Sequence, residues 1–516
     1  MENTPKAFTS ITKLQSWLAA QPGNTRATPY AVALIVDDLG GEILVSSLGE
    51  RYVSLDLSGS ALTRIGDYAF RGCHSPTAIT IPAGVDSIST YAFAECTDLA
   101  VIEVDSGNAA YSSAGGILYD KAKTTLIRYP PGKTGATFTV PDGVTRVGDG
   151  AFRDCRGLTG VTIPAGVTAI GEDAFNRCEN LTGVTIPAGV TAIGDGAFSY
   201  SGLRNVAIPA SVTRIGDGAF RGCQKLSTVN IPAGVTGIGE AAFAWCGGLA
   251  AIEVDPGNTD YSSEGGVLYN KAKTTLIQYP PEKEGAAFTI PDCVTRIADD
   301  AFYGCEGLAA VTIPASVTRV GDSAFRDCRA LAAITVPSGV TYLGEAAFSN
   351  CENLAAVTLP AALTHIGDSA FHSCHRLATV AIPAGTTTIG EGTFSETGLR
   401  NITIPSGVTY IGEAAFRFCE SLASVTLPDS VTGIGKEAFA HCSRLTGVTI
   451  PAAVTLIGEG AFSGCIRLKR VTFLGTIAQA GFPPGSFADD LREAFYIMDS
   501  VNGTPGTYTN TTWKKW

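Results

Sequence analysis

The chain has no apolar stretch approaching the 18 or so residues needed to cross a bilayer, so no membrane-spanning helix is expected. Basic residues are scarce: 36 Lys and Arg against 48 Asp and Glu leave a formal charge of −12. Nucleic acid, whose phosphates demand basic patches, is excluded as a partner, and anionic membrane surfaces are disfavoured. Only five histidines occur, His74, His365, His372, His375 and His441, and there is no HExxH, CxxC pair, Walker loop or nucleotide-binding GxGxxG. The reading is therefore non-enzymatic, with no catalytic residue, cofactor or metal assigned. The run FHSCHR around His372, Cys374 and His375 does not change this. Cys374 falls on a buried slot while its neighbours face outward, and a metal needs converging ligands. The opening MENTPKAFTSITKLQSWLAAQ has neither a basic n-region nor an apolar h-region, so no secretory signal is expected in the chain as written.

What the chain has is a period. Fifteen phenylalanines in one register run from Phe70 to Phe462, and of their fourteen intervals ten are 23 residues, two are 22 and two are 59. One supersecondary unit stacked many times explains this, each unit burying its apolar face against its neighbours. In Leu181-x-x-Val184-x-Ile186 the alternation predicts a short strand with Val184 and Ile186 inward. Pro187-Ala-Gly189 turns the chain, Val190 and Ile193 form the next inward pair, and Asp195-Gly-Ala-Phe198 is expected to open a helical or 3₁₀ turn. Strands of successive units must then pair in parallel, about 4.8 Å apart. The expected fold is a repeat solenoid over residues 61–474: one right-handed, curved parallel sheet with short helical or 3₁₀ turns on its convex side. An N-terminal cap is expected at 1–60 and a C-terminal cap or tail at 475–516.

Thirteen of the 14 cysteines lie three residues after a repeat Phe, the slot of a small buried hydrophobe. Side chains pointing inward in parallel make poor disulfides, so free thiols are expected. The exception, Cys293, replaces a turn glycine. The 22-residue units, FSYSGL from Phe198 and FSETGL from Phe394, lack the Cys and drop one residue. The two 59-residue intervals are duplicates: residues 102–139 and 252–289 agree at 28 of 38 positions. Each holds two β-rich runs around an Asp/Asn-Lys-Ala-Lys turn, read as hairpins inserted at about 105–135 and 255–285. They serve either recognition or spacing.

The unit Cys-x-x-Leu-x-x-Val/Ile-x-Ile/Leu-Pro…Ile-Gly-x-x-Ala-Phe, repeated from Arg71 to about Leu474, resembles the BspA-like, treponemal-type bacterial leucine-rich repeats. The insert SSEGGVLYNKAKTTLIQYPPEK and the tail DLREAFY…GTPGTYT are similar to segments of treponemal members. The resemblance implies a surface-exposed or secreted protein that binds host matrix proteins or other bacteria, and brings no catalytic residues. An intracellular interaction scaffold without a host ligand is the competing class.

Two surface columns carry the candidate chemistry. A carboxylate follows the repeat glycine, or Ala298 in one unit, from Asp67 through Asp149, Glu172, Asp195 and Asp217 to Glu459. It reads as helix-start capping, with weak cation binding as the alternative. The outward strand positions carry Thr162, Thr185, Thr312, Thr335 and their equivalents, a corrugated uncharged face suited to protein partners. Asn205, Asn230, Glu253, Asn401 and Arg470 interrupt it and are the candidate partner-binding residues.

Overall fold

The computed structural model describes residues 5–39, 48, 50–487, 491–509 and 514–515. It divides into two compact units, Met1–Asp260 and Tyr261–Trp516. Each is a stack of β-rungs with little helix.

In the first unit, the helix Ile11–Ala19 starts at Ser10, whose hydroxyl accepts from the Lys13 amide. Leu14 and Leu18 bury its inner face. Strands Lys6–Phe8, Tyr30–Leu34, Val53–Asp56, Pro76–Ile81 and Val101–Val104 follow in that order in one parallel sheet. The same line continues as Thr137–Thr139, Gly160–Thr162 and Gly183–Thr185, and later as Thr228–Ile231 beside Ala251–Val254. Between these groups only single bridges remain, Thr185 to Ala207 and Val206 to Val229. They fall at the 22-residue unit, where the strand is too short to continue the ladder.

The expectation of one continuous sheet is corrected on two counts. The strand line is broken into separate sheets within each unit, and a second parallel ladder runs beside it, made of two-residue strands such as Arg146–Val147, Ala169–Ile170 and Ala192–Ile193. These come from the stretch after the proline turn. In the second unit the first line comprises Ala287–Thr289, Ala310–Thr312, Ala333–Thr335 and Ala356–Thr358, then Asn401–Thr403 with Ser424–Thr426, then Gly447–Ile450 with Arg470–Phe473. Tail residues Gly506–Thr509 pair antiparallel with Arg470–Phe473 and cover that edge. The tail segment DLREAFY forms the helix Leu491–Tyr496, and the Asp489 and Asp490 that precede it lie outside the described residues.

The third side of each rung, around Ala-Phe-x-x-Cys, is a run of turns rather than helix. Cys155 N bonds Phe152 O in a single turn, but the residue after the acid and the second residue after Phe are left-handed: Asp173 has φ 51° and Arg177 φ 58°. Left-handed residues end a helix before it propagates. The freed amides turn sideways instead, as Phe325 N donates to Ala347 O of the next rung at 2.8 Å.

Phe175, Cys178 and Leu181 are fully buried and Ile186 is nearly so, whereas Val184 is only half-buried. The phenylalanine rings stack rung on rung, 4.7 Å between Phe302 and Phe325 and 5.2 Å between Phe325 and Phe348. No disulfide forms among the fourteen thiols, of which only Cys293 is exposed. Buried thiols donate to the carbonyl of the preceding rung's Phe, as Cys328 Sγ to Phe302 O at 3.1 Å. In the short units the hydroxyls of Ser201 and Thr397 stand in the same column, against Cys223 at 3.3 Å and Cys419 at 3.2 Å. The lost residue is absorbed where Gly398 lies against His375 O, a contact that leaves no room for a Cβ.

The first insertion forms three antiparallel strands, Tyr111–Ala114, Ile117–Asp120 and Thr125–Arg128, and the third pairs in parallel with Arg146–Val147. It therefore takes the place of one rung of the second ladder, whose earlier pair is Arg64–Ile65 beside Ser87–Ile88. Asn108 pins its entry while fully buried: Nδ2 donates to Pro82 O and Val85 O, and Oδ1 accepts from the amides of Ala110 and Tyr111. Ile117, Leu118, Tyr119 and Leu126 are core. Excising 108–133, or 258–283 with the equivalent Val267, Leu268, Tyr269 and Leu276, would remove core and not a detachable arm.

Truncating Phe325 to Ala is expected to destabilise the second unit by about 3–5 kcal/mol, read by denaturant unfolding. Unchanged unfolding would contradict the stacked core. Burial pushes the thiols of Cys73, Cys155 and Cys374 up to about 12 from an ordinary 9.0. Their folded pKa is raised, so their contribution is complete below pH 9 and declines as pH rises toward 12, by about 1.4 kcal/mol per pH unit per thiol. The denaturation midpoint should fall over that window, less steeply when the three are Ala. A thiol reagent at neutral pH should label Cys293 alone until the chain unfolds.

Candidate interaction faces

The outward positions of the first strand line form a face of small side chains. Thr139, Thr162 and Thr185 stand in one register, as do Thr335 with Thr358 and Thr403 with Thr426. Strand pleating sends these side chains out while Val161 and Ile334 point into the core. Thr is favoured there because its branched side chain fits the pleat, and its hydroxyl adds a donor and acceptor to a surface without charge.

The candidate residues divide between the units. Asn205, Asn230 and Glu253 are exposed on consecutive rungs of the first, with Asn230 and Glu253 directly opposite each other in the ladder. Asn205 sits one slot earlier, level with Gly183, because the Thr185–Ala207 bridge sets the register. Asn401 and Arg470 are exposed in the second unit, in the slot that holds Ser424 and Gly447. Arg470 lies across Gly447 and pairs with tail residue Thr509, so it joins the capped edge. Asn205, Asn230 and Glu253 are brought together; Asn401 and Arg470 are three rungs apart.

The second ladder provides a further face that the sequence reading missed. Its outward slot holds Arg296, Arg319, Tyr342 and His365 in unbroken register. The Arg319 guanidinium lies 4.3 Å over the Tyr342 ring, which stacks on His365 at 5.0 Å. Burial and then the neighbouring Asp322 carboxylate raise the Tyr342 hydroxyl above its usual pKa. The signal was present: x in the segment Val-Thr-x-Ile-Gly varies while the residues around it hardly do.

The acid column caps, but not as expected. Each aspartate reaches sideways rather than into its own turn: Asp149 Oδ1 accepts from Glu172 N, Asp217 Oδ1 from Glu240 N and Asp322 Oδ1 from Glu345 N, at 2.9–3.1 Å. Gly171 is required for this approach, since a Cβ there would sit 2.7 Å from Asp149 N. The outward arginines offset the crowded charge, with Arg146 pairing Asp149 at 2.9 Å and Arg214 pairing Asp195 at 3.2 Å. Among the described residues no three His, Cys, Asp or Glu side chains are placed to hold a metal. His375 Nδ1 meets Glu396 O instead, and the Cys374 thiol donates to Phe348 O.

The chain matches the family model of the BspA-type leucine-rich repeat region, in six copies over residues 52–114, 134–250, 283–398 and 387–489, well over half its length. It belongs to the BspA-type leucine-rich repeat family. Among solved structures it is similar to a leucine-rich repeat protein from Eubacterium ventriosum, at 28% identity over 69% of this chain and 93% of that one, with a TM-score of 0.48. A leucine-rich cell surface protein from Faecalibacterium prausnitzii is also 28% identical, over 83% and 86% of the two chains, with a TM-score of 0.41. A leucine-rich repeat protein from Bacteroides ovatus is 26% identical over 73% and 96%, with a TM-score of 0.40. No curated protein matches the chain. Among the described residues no helix is long and apolar enough to cross a membrane.

The sideways caps separate aspartate from glutamate. Replacing Asp322 by Ala should cost about 1 kcal/mol by orphaning the Glu345 amide, whereas Glu345→Gln should be nearly neutral. Millimolar calcium should leave the melting temperature unchanged. A saturable rise with calcium would show that the column binds cations.

Proposed function

We propose that this BspA-type repeat protein is a non-enzymatic adhesin, displayed on the cell surface or secreted, that binds host matrix proteins or other bacteria. The observation that carries this reading is the uncharged strand face broken by Asn205, Asn230 and Glu253 on consecutive rungs. A Thr-rich face supplies area but presents the same surface at every rung. Interruptions of different size and charge give a partner something to discriminate. Rigid rungs hold those residues without an ordering cost, which favours a preformed interface. The duplicated insertions present one shape twice, which adds avidity toward a repetitive ligand whose spacing suits both copies.

The test is binding of the full chain to immobilised matrix proteins and to whole bacterial cells. The triple variant Asn205→Ala, Asn230→Ala, Glu253→Ala should lose about tenfold or more in affinity, with its melting temperature unchanged. A chain that binds none of these surfaces would favour the scaffold reading. Binding that survives the triple variant would move the interface to the second-ladder face.

A further inference from the structure

The short rung that begins at Phe394 opens a notch of about 490 Å³ in the second unit, lined by His375, Glu396, Thr397, Gly398, Phe418, Glu420 and Ser421. We propose that this notch receives a lysine or arginine side chain from a protein partner. The inference rests on the protein-binding reading above and names what one part of the surface selects.

The missing residue makes the space, and the side chains around it define its chemistry. Glu396 is half-buried, and its Oε2 accepts from the buried Ser373 hydroxyl at 2.9 Å. Its backbone oxygen accepts from His375 Nδ1 at 2.9 Å. Glu420 is exposed on the next rung. Among the described residues neither carboxylate has a Lys or Arg within ion-pair distance; the nearby Arg417 is committed to Glu437 at 3.1 Å. Phe418, stacked at 4.5 Å on His441 and with the Arg417 guanidinium 4.8 Å from its ring centre, is the aromatic wall. Two carboxylates beside an apolar wall suit a side chain with an aliphatic stem and a cationic head.

The first unit contains a counterpart built from the same short unit, and its chemistry differs. There Glu179, Tyr200, Ser201, Gly202, Gly222, Gln224 and Lys225 occupy the equivalent positions. The Tyr200 ring lies against Gly222, and Arg221 packs 4.0 Å over the adjoining Trp245. At these seven positions one acid and one base sum to zero, against two acids and no Lys or Arg at the seven notch positions of the second unit, a difference of −2. Phe418 holds φ 56° in a slot that is left-handed on other rungs too, filled there by Gly72, Gly222, Gly304 and Gly464 but also by Arg177, Tyr200, Trp245 and His441.

Fluorescence anisotropy of fluorescein-labelled hexalysine, titrated with the full chain at about 150 mM salt, tests this. The Glu396→Gln, Glu420→Gln variant should bind about tenfold more weakly, and the charge-matched control Glu345→Gln, Glu391→Gln less than about twofold. Phe418→Gly should weaken binding several-fold with an equal or higher melting temperature, because glycine suits that backbone. Equal losses in the two double variants, or no saturable binding by the wild type, would overturn the assignment. Matrix or cell capture, run in parallel, separates the two readings. Capture that persists without a notch effect refutes the notch alone, and a notch effect without capture refutes the adhesin alone.

Discussion

Every residue in a rung sits on its own counterpart in the next, about 4.8 Å away, and the rest of the structure follows from that constraint. A side chain survives repetition only if it packs or bonds with a copy of itself. Phenylalanine does so by ring stacking, with Phe416 and Phe439 5.1 Å apart and 4° from parallel. Cysteine does so by donating a hydrogen bond to the carbonyl of the preceding rung's Phe or Tyr. Aspartate does so by accepting the amide of the next rung's acid. Glycine survives where the approach leaves no room for anything larger, as at Gly171 beside Asp149.

Stacking is relaxed at three kinds of place, and each is handled locally. The ends are closed by strands: Lys6–Phe8 and Tyr30–Leu34 start the first line, and Gly506–Thr509 with Lys514–Lys515 end the last. The short units drop a residue and use a hydroxyl where a thiol would stand. The insertions replace one rung of the second ladder with an antiparallel meander, anchored by a buried asparagine whose side chain forms four bonds to backbone. In the second copy Asn258 repeats the anchor, donating to Pro232 O and Val235 O.

Burial was largely legible in the sequence because stacking turns packing into a period. The Phe, Cys and Leu columns, Val190 with Ile193, and the free thiols all follow from counting. What escaped depends on partners a whole rung away. An acid before Ala-Phe looks like a cap for its own turn, and only the lateral geometry shows that Asp serves its neighbour and that Glu is too long to do so. The helical turn was read from the same acid, without the left-handed residues at Asp173 and Arg177 that stop it. The second ladder was missed because two-residue strands such as Arg319–Val320 are too short to show alternation. The candidate residues on the strand face are exposed, and which of them are neighbours depends on the shortened register at Asn205.

The duplicated block separates what stacking holds from what it leaves free. Ten positions differ between 102–139 and 252–289. At buried sites the role is preserved: Ile117 becomes Val267, and Arg128, which donates to Gly150 O and Phe93 O, becomes Gln278, which donates to Tyr279 O and Ala301 O. At the loop that follows, Gly132 and Thr134 become Glu282 and Glu284, and on the next rung Arg156 becomes Glu306. One copy is thus more basic and the other more acidic around the same backbone. A rung tolerates this because exposed side chains contribute little to the stack. In such a protein the repeat determines stability, and recognition must reside where one rung differs from the next.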